Sequence, residues 1–329
     1  MKDVILTGIK PTGIPHIGNY FGAIKPAIEL SKSDNDCLYF IADYHALNII
    51  KEKEKFYELN YVIASTWLAC GLDPEKVVFY KQSDIPEVFE LSWILSNVTA
   101  KGLLNRAHAY KAKVEENESN NLDPDLNINM GLYNYPVLMA ADILLMNTTK
   151  VPVGLDQKQH VEIAREIARV FNHTYGKGLV VPEEVISKSF GVLPGLDGRK
   201  MSKSYNNVIP LFCDENELRK KINKIVTDCK LPGEEKNVDC LLFQIYSLFA
   251  NEEEINEMKT LFKNGIGWGD AKKKVFEVVN NYLSPMREKY NYYMAHKEIV
   301  DEILLKGAAK ARIIAKETLD RVRKLIGKN

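Results

Sequence analysis

Short, nearly unbroken apolar runs alternate with stretches of helical periodicity along the first part of the chain. That alternation restricts the fold more than any other feature. Residues 4–8 (VILTG), 37–42 (CLYFIA) and 77–81 (VVFYK) read as strands. Between them lie GAIKPAIELSKS and the run 55–70, whose apolar residues recur at helical spacing, the second stopping at Gly71. A further helix opens at Pro86 and runs through Ser96. Strands buried on both faces and separated by helices make a parallel sheet with helices on each side. The expected fold is α/β, a doubly wound parallel sheet.

Residues 114–129 (VEENESNNLDPDLNIN) are polar and rich in Asn and Asp, and read as an exposed loop. Pro136 then begins a strongly apolar helix to Met146, a short strand follows at 150–153, and 156–171 is amphipathic. From Asp214 onward the patterns are helical, broken at Pro232-Gly233 and at residues 265–269. With 329 residues there is room for two parts, an α/β part over residues 1–204 and an all-α part over 205–329.

Charge and cysteines exclude several classes. Lys+Arg and Asp+Glu balance at 44 each, so no overall field marks a nucleic-acid or membrane partner. The end is less even: from Ile303 onward there are 8 basic residues against 2 acidic. Such a segment is either a solvated helix face or a contact for phosphate backbone, and Lys306, Lys310, Arg312, Lys316, Arg321, Arg323 and Lys324 are its candidates. The five cysteines are scattered without a C-x-x-C pair, which argues against a zinc site or disulfide framework and suits a reducing compartment. The start MKDVILTGIKP reads as strand and turn rather than a cleavable signal. The longest apolar run carries Asp142 and is too short to span a bilayer, so the expected location is the cytoplasm.

Two loops carry the chemistry. The first, KPTGIPHIGN (residues 10–19), joins the C-terminal end of the first strand to a helix, where open α/β sheets bind ligands. Gly18 lets a nucleotide approach the backbone, the helix start favours phosphate, and His16 and Asn19 offer neutral donors. The second, LPGLDGRKMSKSYNN, holds Lys200 and Lys203 among glycines and asparagines. Lysine is a point charge on a flexible stem, suited to following an anion whose position changes during a reaction. Either loop alone reads as ordinary: a buried histidine, a solvated basic turn. Their combination is specific.

Together they resemble the two signatures of the class I aminoacyl-tRNA synthetases, a HIGH-type motif (His16-Ile17-Gly18-Asn19, with Asn in the fourth place) and KMSKS (residues 200–204). GNYFGAI, DYHAL, GLDP, YPVLMAADILL and VPVGLDQKQH are similar to stretches of the tryptophan-specific members of that family. The resemblance implies a Rossmann-like catalytic part over 1–204 and an anticodon-recognising helical part over 205–329. It also implies a homodimer, and tryptophan, ATP with Mg2+ held mainly by the phosphates, and tRNA as the molecules bound. No protein-bound metal is expected.

Site roles follow from the same resemblance. Lys200, Lys203, Ser202, His16 and Asn19 carry the chemistry. Lys10, Pro11, Thr12, Gly18, Gly154, Leu155, Asp156, Val192, Met201, Ser204 and Lys113 join them around ATP. Tyr135, Met139 and Asp142, which share one side of a helix, line the amino-acid pocket with Gln157, Val151, Val153, His45 and Leu6. A buried carboxylate needs a donor, so Asp142 has either a protein partner or the indole N–H of the substrate. Asp156 is either a plain helix N-cap or a ribose ligand, and Lys113 either a solvated lysine or a phosphate contact. Two positions depart from the pattern: Leu6 stands where relatives often present an aromatic residue beneath the indole, and Lys10 where a glutamine is common. A tyrosine-activating relative, a metabolite adenylyltransferase and a catalytically silent RNA-binding paralogue are the competing readings.

Overall fold

The computed structural model describes residues 2–186 and 193–328. Five strands form one parallel sheet, β1 (Val4–Ile9), β2 (Asp36–Ile41), β3 (Val77–Lys81), β4 (Lys150–Val153) and β5 (Glu183–Ile186), in the order β3-β2-β1-β4-β5. The chain builds outward from β1 to β3 and then returns to the other side of β1. The C-terminal ends of β1 and β4 therefore flank the point where the winding reverses, the natural crevice of such a sheet. Strand β5 was not expected from the sequence. It is an edge strand with two leading glutamates, and Glu184 is bound by Arg165 at 2.7 Å.

Helices of eight residues or more are labelled in order: α1 (Lys53–Ala69), α2 (Glu87–Ser96), α3 (His108–Ser119), α4 (Met130–Leu145), α5 (Lys158–Tyr175), α6 (Glu215–Asn223), α7 (Leu241–Phe249), α8 (Glu252–Lys263), α9 (Trp268–Ala295) and α10 (Lys297–Leu325). One face of the sheet presents Ile5, Cys37, Tyr39 and Phe79 to α1, in a core that continues into α6 through α9. The other presents Leu6, Leu38, Phe40 and Val151 to α2, α4 and α5. This strict alternation is the period-two side-chain geometry of a strand buried on both sides. The last helix runs along edge strand β3, giving Val300 and Leu304 to the first core and Ala308, Ala311, Ala315 and Leu319 to the second. It covers backbone that would otherwise be an open edge.

Two expected boundaries shift. Residues 114–119 belong to α3 rather than to a loop, because Lys111–Glu115 and Lys113–Glu116 pairs brace an Ala- and Glu-rich turn. Helix α4 begins at Met130, six residues before Pro136, because the Asn129 side chain caps it by accepting the Leu132 N–H at 2.9 Å. Pro136 sits inside the helix, where it forgoes one backbone bond.

Candidate active site

At the reversal point the crevice opens onto backbone. Gly8, Lys10 and Gly154 are exposed, and the apolar side chain of Leu155 is 76% exposed. The first loop enters from β1 with Pro11 and Pro15 buried and Thr12 half-buried. Asn19 folds back so that its side-chain oxygen accepts the His16 backbone N–H at 3.0 Å, leaving its amide group as the donor. The His16 ring is buried, and its Nδ1 has no hydrogen-bond partner among the described residues. Burial, and then the charge of Lys203, push its pKa down to about 4, so the ring is a neutral group at working pH. A Cβ on Gly18 would come within 3.0 Å of that ring and 3.5 Å of Met201 Sδ. Gly18 thus makes room for His16 and for the second loop, in addition to the nucleotide approach expected. A π-helical turn, Tyr20–Ile24, follows directly, and its Tyr20 hydroxyl meets that of Tyr282 in α9 at 2.9 Å.

The segment directly after the second loop is stitched to the first. Ile17 N–H donates to the Ile209 carbonyl at 3.1 Å and Leu211 N–H to the Pro15 carbonyl at 2.9 Å. Met201 is buried as an anchor, and its N–H donates to the Leu193 carbonyl at 3.0 Å. Asn207, read in the sequence only as a turn residue, sets the loop's shape. Its side-chain oxygen accepts from Ser202 N–H at 2.8 Å, and its amide donates to Asp197 at 2.8 Å and to the Lys200 carbonyl at 3.1 Å. Asn207, with the Arg199 guanidinium, holds the Asp197 carboxyl down to about 2. Lys203 Nζ lies against Gly13 of the first loop, 3.0 Å from where a Cβ there would sit. Crowding by protein atoms lowers the Lys203 pKa, and that of Lys10 likewise, although both residues keep exposed surface. Lys200 is exposed.

On the other side of the sheet Asp142 is 3% exposed in the last turn of α4. Gln82, just past β3, donates from Nε2 to both carboxylate oxygens at 2.9 Å, and His45 Nε2 pairs with Oδ2 at 2.9 Å. Gln82 is itself fully buried and fixed by accepting the Tyr44 N–H at 3.1 Å. Burial raises the Asp142 pKa, opposed by His45 and Gln82. The carboxylate's donors in this structure are therefore protein groups. A substrate N–H would use a remaining lone pair on an oxygen already aimed and held. Tyr135 stands beside His45, ring centroids 6.3 Å apart, its hydroxyl 2.8 Å from His160 Nε2 and pushed up to about 12 by burial. Met139 and Val153 are half-buried above Val151 and Leu6, which is 1% exposed.

A family model described as tRNA synthetases class I (W and Y) matches residues 2–284. The chain belongs to this family. Among curated relatives, the tryptophan–tRNA ligase of Pseudomonas aeruginosa is 52% identical over 99% of this chain and 74% of its own length. That of Neisseria meningitidis serogroup A is 50% identical over 99% of this chain and 98% of its own. Among solved structures, the tryptophanyl-tRNA synthetase of Campylobacter jejuni complexed with ADP and tryptophan is 44% identical. It superposes with a TM-score of 0.91 over 98% of this chain and 99% of that one.

Not every synthetase residue expected from the sequence joins the crevice in the same way. Lys113 pairs with Glu116 on its own helix at 3.0 Å. Gln157 is exposed, Asp156 and Ser204 fall in short 3-10 turns at 155–157 and 203–205, and Val192 lies outside the described residues. Gln82 went unread, although its place at the C-terminal end of a parallel strand was the available signal. The basic end is largely spoken for: Arg312 binds Glu87 at 2.8 Å, Arg323 binds Glu90, Arg321 donates to the Gly178 carbonyl at 2.7 Å, and Lys306 pairs with Glu302 at 2.7 Å. Lys310, Lys316 and Lys324 form no ion pair among the described residues.

Proposed function

We propose that the chain is a tryptophan–tRNA ligase. It activates L-tryptophan with ATP to tryptophanyl-AMP, releasing pyrophosphate, and passes the tryptophanyl group to the 3′ end of tRNA with release of AMP. The observation that carries this is the meeting of Lys203 with the first loop across a crevice whose other wall holds the buried Asp142–Gln82–His45 group. Full-length relatives near 50% identity, named for tryptophan, favour that amino acid over tyrosine.

The reading assigns roles as follows. Asp142 accepts the indole N–H, while Tyr135 and Gln157 hold the α-ammonium group, and Met139, Val151 and Val153 border the ring. A carboxylate oxygen of tryptophan attacks the α-phosphorus, and the bond to the bridging oxygen breaks with its electron pair leaving on pyrophosphate. His16 and Asn19 donate to phosphate oxygens as neutral groups. Lys200 and Lys203, with Ser202, follow the charge onto pyrophosphate, the interaction that strengthens only as the bond breaks. Mg2+ travels with ATP and supplies charge neutralisation there. On this reading the phosphate oxygens, rather than protein side chains, hold it. Gly154, Leu155 and Asp156 border the ribose.

Beyond the crevice, residues 205–329 recognise the tRNA anticodon, with the last helix also serving the catalytic part's core. A homodimer is supported by apolar surface at Trp93 (72% exposed) and Met130 (66%), the latter lining a groove of about 340 Å3 with Tyr44, Phe89 and Leu138 that also takes in His45 and Tyr135 of the amino-acid pocket. The reading has the protein act in the cytoplasm; no helix among the described residues is long and apolar enough to cross a membrane. ATP–pyrophosphate exchange measured with each of the twenty amino acids tests the assignment. Exchange with tryptophan alone is expected. Exchange with tyrosine alone, or with none, would overturn it.

A further inference from the structure

We propose that Phe40 is a specificity-determining residue for the substrate's aromatic ring, supplying from β2 the flat wall that Leu6 of β1 does not. The proposal rests on the tryptophan reading above. In the parallel register Phe40 lies opposite Gly8, and both face the side of the sheet covered by α4. The Phe40 ring leans across the neighbouring strand: a Cβ on Gly8 would stand 2.5 Å from its Cε1 and 2.6 Å from its Cζ. The absent side chain at Gly8 therefore admits the ring to the middle of the sheet, at the mouth of the crevice. Leu6, on the same strand face, is 1% exposed, whereas Phe40 keeps 7% beside the exposed Gly8.

The ring is also held flat. It stacks on Tyr80 of β3, centroids 5.7 Å apart and planes 15° from parallel. Tyr80 lies close enough to Asp142 for the carboxylate's charge to act on its hydroxyl. Gly8, Phe40, Tyr80 and Asp142 thus follow one another along this face of the sheet, the buried Tyr80 backing the Phe40 ring on the way to the carboxylate that receives the indole N–H. A pre-stacked aromatic pair is a rigid partner for a third ring, since little side-chain freedom is lost on binding.

Phe40→Ala is tested by pyrophosphate exchange with tryptophan and ATP varied in turn, and thermal melting confirms a folded protein. Phe40→Leu keeps apolar volume while removing the stack. The expected result is a tryptophan KM raised about tenfold in Phe40→Ala and by less in Phe40→Leu, with kcat and the ATP KM within about twofold of the parent. Returning a ring to β1 in Leu6→Phe/Phe40→Ala should bring the tryptophan KM back to within about threefold of the parent. A folded Phe40→Ala with an unchanged tryptophan KM overturns the proposal. So does an equal rise in both substrates' KM, or a double variant no better than Phe40→Ala. A parent enzyme that exchanges with tyrosine or with nothing instead removes the tryptophan reading and this proposal together.

Discussion

The two walls of the crevice are built on different principles. The amino-acid wall rests on regular elements: Asp142 within α4, Gln82 past β3, His45 past β2, all buried and bonded to one another. The phosphate wall consists of the loops 10–19 and 193–207, tied together by backbone bonds to Ile209 and Leu211 just past the second, which the buried Asn207 amide shapes, with the lysine ammonium groups at their tips. A buried carboxylate left unpaired is costly, so a site that must recognise one N–H keeps its acceptor satisfied and fixed before the ligand arrives. Charge that moves during the reaction is better met by flexible cations on a tethered loop. On the proposed function, one wall serves discrimination and the other rate.

Substitutions should separate the two walls. Lys203→Ala should slow single-turnover adenylate formation by about 10²–10³-fold at saturating tryptophan, the usual cost of losing one transition-state charge partner. A change below about threefold would remove Lys203 from the chemistry. Asn207→Ala releases Ser202 N–H, the Lys200 carbonyl and Asp197 together, and should cost about tenfold in the same rate while lowering the melting temperature. An unaltered rate would mean that the loop holds its shape without that amide.

The pH dependence of His16 is a finer probe. Its pKa falls from 6.5 unfolded to about 4 folded, so between those values the unfolded chain binds a proton that the folded one refuses. Stability is therefore lost as pH drops from 6.5 toward 4. The parent should lose more melting temperature between pH 7 and pH 5 than His16→Gln does, and equal losses would contradict the assignment. The smallest effect is expected at the far end of the chain. Arg323→Ala removes a partly exposed pair with Glu90 and should cost about 1 kcal/mol or less in stability, with the tRNA KM in the charging assay unchanged within about twofold. A tenfold rise in that KM would return Arg323 to the RNA surface.

Much of this was legible in the residues. Unbroken runs such as CLYFIA could only be strands covered on both sides, and β4 was read with its observed bounds. Both loops announced themselves through lysine, glycine and histidine at short local spacing. What stayed hidden depended on contacts between distant segments. Asp142 needs a donor on sequence grounds, but Gln82 is 60 residues away and only its place at the end of a parallel strand marks it. Asn207 looked like any turn asparagine until its side chain was seen holding the loop. The basic final helix was read as a candidate for phosphate contact because its partners, Glu87 and Glu90, lie on α2. Pro136 misled the reading because the cap that starts α4 is an asparagine in a polar run.

The division of labour between the walls is tested most directly by equilibrium binding of tryptophan without ATP to the parent, Lys203→Ala and Asp142→Ala enzymes, each shown to be folded. Lys203→Ala should bind tryptophan with the parent's affinity while Asp142→Ala loses at least tenfold. Equal weakening in both, or full affinity in Asp142→Ala, would contradict it.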